Sequence, residues 1–94
     1  MPITRVNEFQ GHPGRGAELR DFLASIIGLI RGAEGCRSVQ LLAQRDDDTR
    51  FAIVESWDSV EAHQAAASRI SPDLMKTAMA LLAAPPRGVY YNDL

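Results

Sequence analysis

Three side chains that can bind a ligand or move a proton lie close together in the middle of the chain. Glu55 and Trp57 are separated by one residue, and His63 follows Trp57 by six. Because side chains alternate along a strand, Glu55 and Trp57 would share one face of a sheet. An imidazole has an unperturbed pKa of about 6.5, which suits proton transfer near neutral pH. These residues predict one pocket between a sheet and a helix.

The segment around these residues predicts a strand that leads directly into a helix. Residues 51–57 are mostly apolar and β-prone. Asp58 and Glu61 then have the spacing of a capping box, with Ser59 as the alternative N-cap. The helix that follows would turn Val60, His63, Ala67 and Ile70 to one side.

The remaining chain predicts three more strands and two more helices. The strands are residues 3–10, 36–44 and 89–92, and residues 36–44 and 51–57 form a hairpin around an aspartate-rich turn. One helix spans residues 18–31, and the other begins at Ser71-Pro72. The first strand would present Ile3, Arg5, Asn7 and Phe9 on one face. The apolar stripe of the first helix is Leu19, Phe22, Leu23, Ile26, Ile27 and Ile30, and the inward face of the last helix is Leu74, Met75, Ala78, Met79 and Leu82.

This order of elements predicts a single domain over residues 1–94 with an α+β fold: a ferredoxin-like antiparallel sheet with helices on one face. The other sheet face is predicted to carry Val6, Val39, Leu41, Ala52 and Val54. Tyr90 and Tyr91 alternate, so one of them would also lie on this face; Tyr90 is the candidate, and the choice stays open. A patch of that kind is large for a small monomer, so we expect a homodimer whose sheets face each other.

Composition excludes several other classes of protein. The chain has 94 residues, ten Lys and Arg against twelve Asp and Glu, and no basic stripe, so nucleic acid is not an expected partner. A single cysteine and no ligand spacing argue against a disulfide or a metal site. No apolar segment approaches the ~20 residues that cross a membrane, and no export signal is seen. We therefore expect a cytoplasmic protein without membrane partners.

Residues 55–63, ESWDSVEAH, resemble the antibiotic biosynthesis monooxygenase family, whose members are small dimeric α+β barrels. The resemblance extends over nearly the whole chain through the order of elements, the glycine-containing loop after the first strand and the capped helix. The family includes cofactor-free oxygenases of phenols and anthrones, quinol monooxygenases, haem-degrading enzymes and isomerases. It implies a cofactor-independent monooxygenase that joins molecular oxygen to a small aromatic or enolisable molecule.

The same resemblance assigns roles to individual residues. His63, Trp57 and Asn7 stand at positions that imply catalytic roles, and Asn7 precedes Gly14 by the spacing found in the haem-degrading branch. That branch also carries a mid-helix Trp followed by a haem-ligating His; this chain has Ala66 there and no later His. We therefore expect no cofactor and no metal. The predicted substrate contacts are Arg5, Phe9, Phe22, Ile26, Ile53, Glu55, Met75 and Met79.

Two other functions remain open from the sequence. Ala65, Ala66 and Ala67 either open space for a ligand or let the helix pack close to the sheet. The first case would give a non-catalytic small-molecule-binding dimer, and the second a dimer whose pocket is largely filled by its own side chains. An isomerase of a small enolisable compound would use Glu55 or His63 to move a proton without oxygen. Glu55 is also open to a structural role, in which Arg5 pairs with it across the sheet.

Overall fold

The computed structural model describes residues 2–94, in which one antiparallel sheet is covered by helices on one face. The elements in order are β1 (Ile3–Gln10), α1 (Gly16–Arg31), β2 (Cys36–Ala43), β3 (Arg50–Trp57), α2 (Val60–Ala67), α3 (Pro72–Leu81) and β4 (Arg87–Asn92). The strands lie in the order β2-β3-β1-β4, and each neighbouring pair is antiparallel. The ferredoxin-like α+β fold expected from the sequence is confirmed. None of the helices in the described part of the chain has the length and apolar composition needed to span a bilayer.

The hydrophobic core lies between α1, the end of α3 and the middle of the sheet. Leu19 and Leu23 of α1 are 0% and 1% exposed, because the apolar stripe of this helix faces the sheet. They pack in one cluster with Phe51, Ile53, Leu81 and Leu82. Phe9, Phe22 and Ile26 are partly buried against the same cluster. The predicted helix stripe is therefore confirmed, and α1 begins two residues earlier than expected, at Gly16.

Strand register brings the polar residues of β1 and β3 together on the helix-covered face. Arg5 lies opposite Glu55, Asn7 opposite Ile53, and Ile3 opposite Trp57. The alternation of side chains along β1 predicts that Ile3, Arg5 and Asn7 share one face, and they do. The end of the sheet nearest α2 is consequently polar, whereas the end nearest α1 is apolar.

A β-bulge in β2 changes the predicted outer face of the sheet. The register shifts between Cys36 and Ser38, so the alternation moves by one residue and Val39 lies opposite Glu55. Val39 and Leu41 therefore pack towards the core, and the prediction that they lie on the outer face is wrong. Leu42 takes their place outside and is 40% exposed. Val6, Ala52 and Val54 do lie on the outer face, as expected from their pairing positions.

The start of α2 is set by Ser59 rather than by Asp58. The Ser59 hydroxyl accepts a hydrogen bond from the Ala62 N–H at 3.1 Å, which is the standard N-cap contact. Asp58 instead accepts a hydrogen bond from Arg37 at 2.7 Å, so the predicted capping box with Glu61 is wrong and the alternative cap is confirmed. Ser71 caps α3 by accepting from Leu74 N–H, as the Ser-Pro pair predicts.

The inward face predicted for the last helix is only partly correct. Leu82 is buried, but Met75 and Met79 are 50% and 54% exposed. The helix contacts the rest of the chain mainly at its end, where Leu81 and Leu82 enter the core and Ala83 N–H donates to Gln10 C=O. Met75 and Met79 thus face away from the sheet in this chain.

Two glycines of α1 provide a matched test of packing at the start of this helix. A Cβ at Gly16 would overlap the backbone carbonyl of Asp48, whereas a Cβ at Gly28 would meet nothing. We expect Gly16→Ala to lower the free energy of unfolding by about 1–3 kcal/mol, because the turn between β2 and β3, which contains Asp48, must move. Gly28→Ala should raise it by up to about 1 kcal/mol. Urea denaturation measures both, and equal effects of the two substitutions would contradict this packing.

Candidate functional site

A buried carboxylate lies at the centre of the polar end of the sheet. Glu55 is 3% exposed and Trp57 is 1% exposed. Because the two residues share a face of β3, the Trp57 indole Nε1–H can donate to Glu55 Oε1, and the distance between these atoms is 2.8 Å. Trp57 therefore packs as part of the interior and also satisfies one oxygen of the carboxylate.

The charge of Glu55 is opposed by burial and favoured by two neighbours. Desolvation raises the pKa of the Glu55 carboxyl, and the Trp57 hydrogen bond and the positive charge of Arg5 partly offset this rise. Arg5 lies directly opposite Glu55 in the register of β1 and β3. The expectation that this carboxylate is hydrogen-bonded is thus confirmed, but its partner is Trp57 on the same strand. Arg5 lies across the sheet without a direct ion pair to Glu55 among the described residues, so the expected Arg5–Glu55 pair is wrong.

His63 lies above these residues in the first half of α2. Its ring meets the edge of Trp57, with the ring centres 5.4 Å apart and the planes at 77°. His63 Nε2 is 4.0 Å from Glu55 Oε1, beyond hydrogen-bonding distance but within strong electrostatic reach. The side chain is only 12% exposed. The structure therefore brings together three of the sequence-predicted residues, Glu55, Trp57 and His63.

The environment of His63 favours the neutral imidazole. Burial lowers the pKa of His63, and the charge of Arg5 lowers it further. A neutral imidazole has a free lone pair on one ring nitrogen, so it can accept a proton. His63 is thus a base at neutral pH, in a setting that contains an acidic neighbour to stabilise the imidazolium.

Tyr90 of β4 is a further member of this site, and the sequence leaves open which of Tyr90 and Tyr91 faces it. Its hydroxyl oxygen is 2.6 Å from His63 Nδ1, and its ring lies 5.3 Å from the imidazole, edge to face. The pairing of β1 and β4 places Tyr90 opposite Arg5 and thus on the helix-covered face. The open assignment of Tyr90 to the outer face is therefore wrong, and Tyr91, which is 55% exposed, points outwards. Alternation in the VYYN segment predicts that the two tyrosines separate, but only the register shows which one faces the helices.

The side chains of Arg5 and Asn7 lie over Gly88, a residue of β4 that has no side chain. The Arg5 guanidinium lies over the Tyr90 ring, 4.5 Å from its centre. A Cβ at Gly88, the residue opposite Asn7, would overlap both the Arg5 guanidinium and Asn7 Oδ1. Gly88 therefore leaves the space that these two side chains occupy. Within residues 2–94, Arg5 Nε is buried and has no hydrogen-bond partner.

The other predicted substrate contacts lie away from this cluster. Ile53 is 1% exposed and belongs to the core, with Phe9, Phe22 and Ile26 packed around it. Met75 and Met79 are on the surface of α3. A wide depression of about 760 Å³ lies between α1 and α3, and of the predicted residues it includes Phe22 alone. In the part of the chain that the structure describes, no group of three or more His, Cys, Asp and Glu side chains is arranged to hold a metal ion.

Replacing the buried carboxylate should change how stability depends on pH. With a raised pKa in the folded state, Glu55 holds its proton more tightly when folded, so stability falls as pH rises through the interval between the ordinary and raised values. Glu55→Gln removes this loss of stability and keeps a side-chain oxygen that can accept the hydrogen bond from the Trp57 N–H. We expect the variant to gain stability relative to the unmodified protein as pH rises through this interval.

Thermal melts over a pH series measure this difference, with Glu34→Gln at an exposed position as the matched control. A difference between Glu55→Gln and the unmodified protein that is constant with pH would show that burial does not raise the pKa of Glu55.

Comparison with known proteins identifies the family of this chain. The family model for antibiotic biosynthesis monooxygenase matches residues 2–80. A heme oxygenase (mycobilin-producing) of Mycobacterium tuberculosis is 31% identical over 65 residues, which are 69% of this chain and 62% of that relative, so the chain spans less than two thirds of its length.

Solved structures agree with this placement. Rv0793 from M. tuberculosis superposes with a TM-score of 0.83 at 24% identity, covering 100% of this chain and 96% of that one. SnoaB, a cofactor-independent oxygenase from Streptomyces nogalater, superposes with a TM-score of 0.82 at 22% identity, covering 99% and 93%. At these identities the two structures show a shared fold. With the family model matching most of its length, the chain belongs to the antibiotic biosynthesis monooxygenase family.

Proposed function

We propose that this protein is a cofactor-independent monooxygenase that oxidises a small aromatic phenol, a quinol or a polyketide-like substrate of the same chemistry. The observation that carries the proposal is His63, a largely buried neutral base held between Trp57, Glu55 and Tyr90. A base of this kind is what the oxygenation of an electron-rich phenol needs, because the phenolate gives up an electron far more readily than the phenol.

The reaction can be written for a substrate with an enolisable CH₂ group, such as an anthrone. His63 takes the acidic proton, and the electron pair of that bond stays on the substrate as an enolate. The enolate passes one electron to O₂, and the resulting radical and superoxide combine into a peroxide on the same carbon. Loss of water, with protons drawn from the carbon and from the imidazolium, leaves a ketone. The CH₂ group is oxidised by four electrons, and O₂ is reduced to the ketone oxygen and one water.

The charges around His63 suit this sequence of events. An anion formed beside the site is favoured by the guanidinium of Arg5, which lies over the Tyr90 ring. The imidazolium formed at the same time is favoured by Glu55, whose Oε1 is 4.0 Å from His63 Nε2. Both charges created by the proton transfer therefore have an opposite charge nearby in a largely buried setting.

The named activities of the relatives support oxygen chemistry, and the residues of this chain favour the cofactor-free form. SnoaB is a cofactor-independent oxygenase. The M. tuberculosis relative is a heme oxygenase, but the residues here do not fit haem. The chain has two histidines: His63 is engaged with Tyr90 and enclosed by Trp57, and His12 is exposed in the loop after β1. Ala66 in α2 offers neither a ligand nor an aromatic surface.

Removal of the base tests the proposal directly. We expect the purified protein to consume oxygen with an anthrone or a hydroquinone in the presence of a metal chelator and without flavin or NAD(P)H. His63→Gln should lower kcat by about 100-fold or more, as for loss of a general base. The matched control, His12→Gln in the exposed loop, should leave kcat unchanged. An oxygen electrode measures all three proteins.

The pH dependence of the same reaction tests whether the pKa of His63 is lowered. Because only the neutral imidazole accepts a proton and its pKa is lowered, kcat/KM should rise with pH and level off at a pH below the ordinary histidine pKa.

If oxygen uptake with both the anthrone and the hydroquinone is no faster than autoxidation, the proposed monooxygenase activity is wrong. Deuterium exchange into the substrate without oxygen would then identify an isomerase, and binding without either reaction a small-molecule-binding protein.

We also propose that the working form is a homodimer that buries the outer face of the sheet. In one chain this face exposes Leu42 and Tyr91 and carries the half-buried Val6, Val54 and Val89. An open apolar sheet face of this kind is stabilised when a second copy covers it.

Light scattering should therefore give twice the chain mass at micromolar concentration. Val54→Lys, at the middle of the outer face of β3, should shift this mass towards that of one chain, because a charge would be buried in the interface. Asp73→Lys, on the exposed first turn of α3, is the matched control and should leave the mass unchanged. A monomer for the unmodified protein would contradict the dimer.

A further inference from the structure

We propose that the Tyr90 hydroxyl, rather than His63, contacts the hydroxyl of the substrate and passes its proton to His63. This relay rests on the proposed function, because it specifies how the proton of a phenol or enol reaches the base. It assigns a catalytic role to a residue of β4, and positioning roles to Glu55 and Arg5.

The first argument is that both ring nitrogens of His63 already face protein groups. Nδ1 is 2.6 Å from the Tyr90 hydroxyl oxygen, and Nε2 faces Glu55 Oε1 at 4.0 Å. One edge of the ring is covered by Trp57. With its side chain 12% exposed, His63 has no nitrogen directed at an incoming ligand. Because the Tyr90 hydroxyl covers Nδ1, a substrate hydroxyl that approaches this nitrogen meets Tyr90 first.

The second argument is that the hydrogen bond between Tyr90 and His63 can have the direction that a relay needs. The Glu55 carboxylate, 4.0 Å from Nε2, favours the tautomer with its proton on Nε2, and in that tautomer Nδ1 accepts from the Tyr90 O–H. The Tyr90 oxygen then keeps lone pairs that can accept from a substrate hydroxyl. The chain of donors therefore runs from substrate to Tyr90 and from Tyr90 to His63.

The proton transfer needs no reactant other than the substrate, Tyr90 and His63. The Tyr90 O–H bond breaks as its proton forms a bond to His63 Nδ1, and the substrate O–H bond breaks as its proton moves to the Tyr90 oxygen. The electron pair of the substrate O–H bond stays on the substrate oxygen as a phenolate or enolate. Tyr90 ends as it began, and the imidazolium returns its proton by the same route when water is lost from the peroxide.

The third argument is the placement of charge around the relay. The groups that face it are Glu55 from β3, Arg5 from β1 and Trp57 from the end of β3. The pKa of the nearby Cys36 thiol is raised by burial and, to a smaller extent, by the charge of Glu55. Arg5 lies over the Tyr90 ring, so its charge favours a negative oxygen near the Tyr90 hydroxyl. Its buried Nε lacks an acceptor within the described residues, which is consistent with a cation held ready for an anionic group.

The neighbouring tyrosines provide a matched pair for the test. Tyr90→Phe removes the hydroxyl but keeps the ring beneath Arg5, and Tyr91→Phe makes the same change on the outer face of the sheet. The probe is 4-nitrophenol, whose anion is coloured. Its binding is followed by fluorescence of Trp57, the one tryptophan in the chain, and its ionisation by visible absorbance across a pH series.

We expect the unmodified protein and Tyr91→Phe to bind the probe and to shift its ionisation to lower pH than in water. Tyr90→Phe should bind it but lose this shift, and His63→Gln should lose it as well, because the proton then has no acceptor. Equal ionisation in Tyr90→Phe and Tyr91→Phe would overturn the relay. Failure of Tyr90→Phe to bind the probe would also overturn it, because Tyr90 would then serve for binding alone.

Turnover adds a readout that a structural role would not produce. Tyr90→Phe should lower kcat by about 100-fold at a pH where the substrate is protonated. It should recover towards the unmodified rate at a pH where the free substrate is already ionised, because no relay is then needed; a defect independent of pH would overturn the proposal. Tyrosine-dependent ionisation of the probe without any oxygen uptake would support the relay and would contradict only the monooxygenase.

Discussion

The hydrogen bond between the Trp57 indole and the buried carboxylate of Glu55 is the interaction on which the polar end of this fold depends. A carboxylate that is 3% exposed is costly unless it is hydrogen-bonded and opposed by positive charge. Trp57 supplies the hydrogen bond from two residues along the same strand, and Arg5 supplies the charge from the neighbouring strand. Side-chain alternation along β3 places Trp57 on the same face as Glu55, and antiparallel pairing places Arg5 of β1 opposite Glu55. The same pairing makes the site possible, because it orders a negative charge beneath His63.

Proton transfer in this cluster is governed by two opposing fields. Burial and the charge of Arg5 lower the pKa of His63 and so keep the imidazole neutral and available as a base. When it accepts a proton, the Glu55 carboxyl lies 4.0 Å from Nε2 and favours the imidazolium. Arg5 also contacts Tyr90 directly, because its guanidinium lies over that ring, 4.5 Å from its centre.

Local patterns in the sequence were enough to predict the elements and most of the site. The order of strands and helices, the apolar stripe of α1 and the shared face of Glu55 and Trp57 all follow from periodicity, and His63 follows from its place in the helix after that strand. Two features depend on non-local geometry. The bulge after Cys36 reverses the facing of β2, and the register between β1 and β4 decides that Tyr90 rather than Tyr91 meets His63. Neither leaves a local signature, because a shift of one residue preserves the composition of a strand while exchanging its faces.

The way α2 is attached links the chemistry of His63 to the position of the helix. None of the residues of α2 is fully buried, so the apolar packing that fixes α1 is weak here. The start of the helix is instead held near the turn before β2, where Asp58 N–H donates to Gly35 C=O and Ala62 lies against Gly35, a residue whose φ of +87° suits glycine. Further along, the main contacts with the sheet are those of His63 with Trp57 and Tyr90. His63 is therefore both the base of the site and one of the contacts that hold α2 against the sheet.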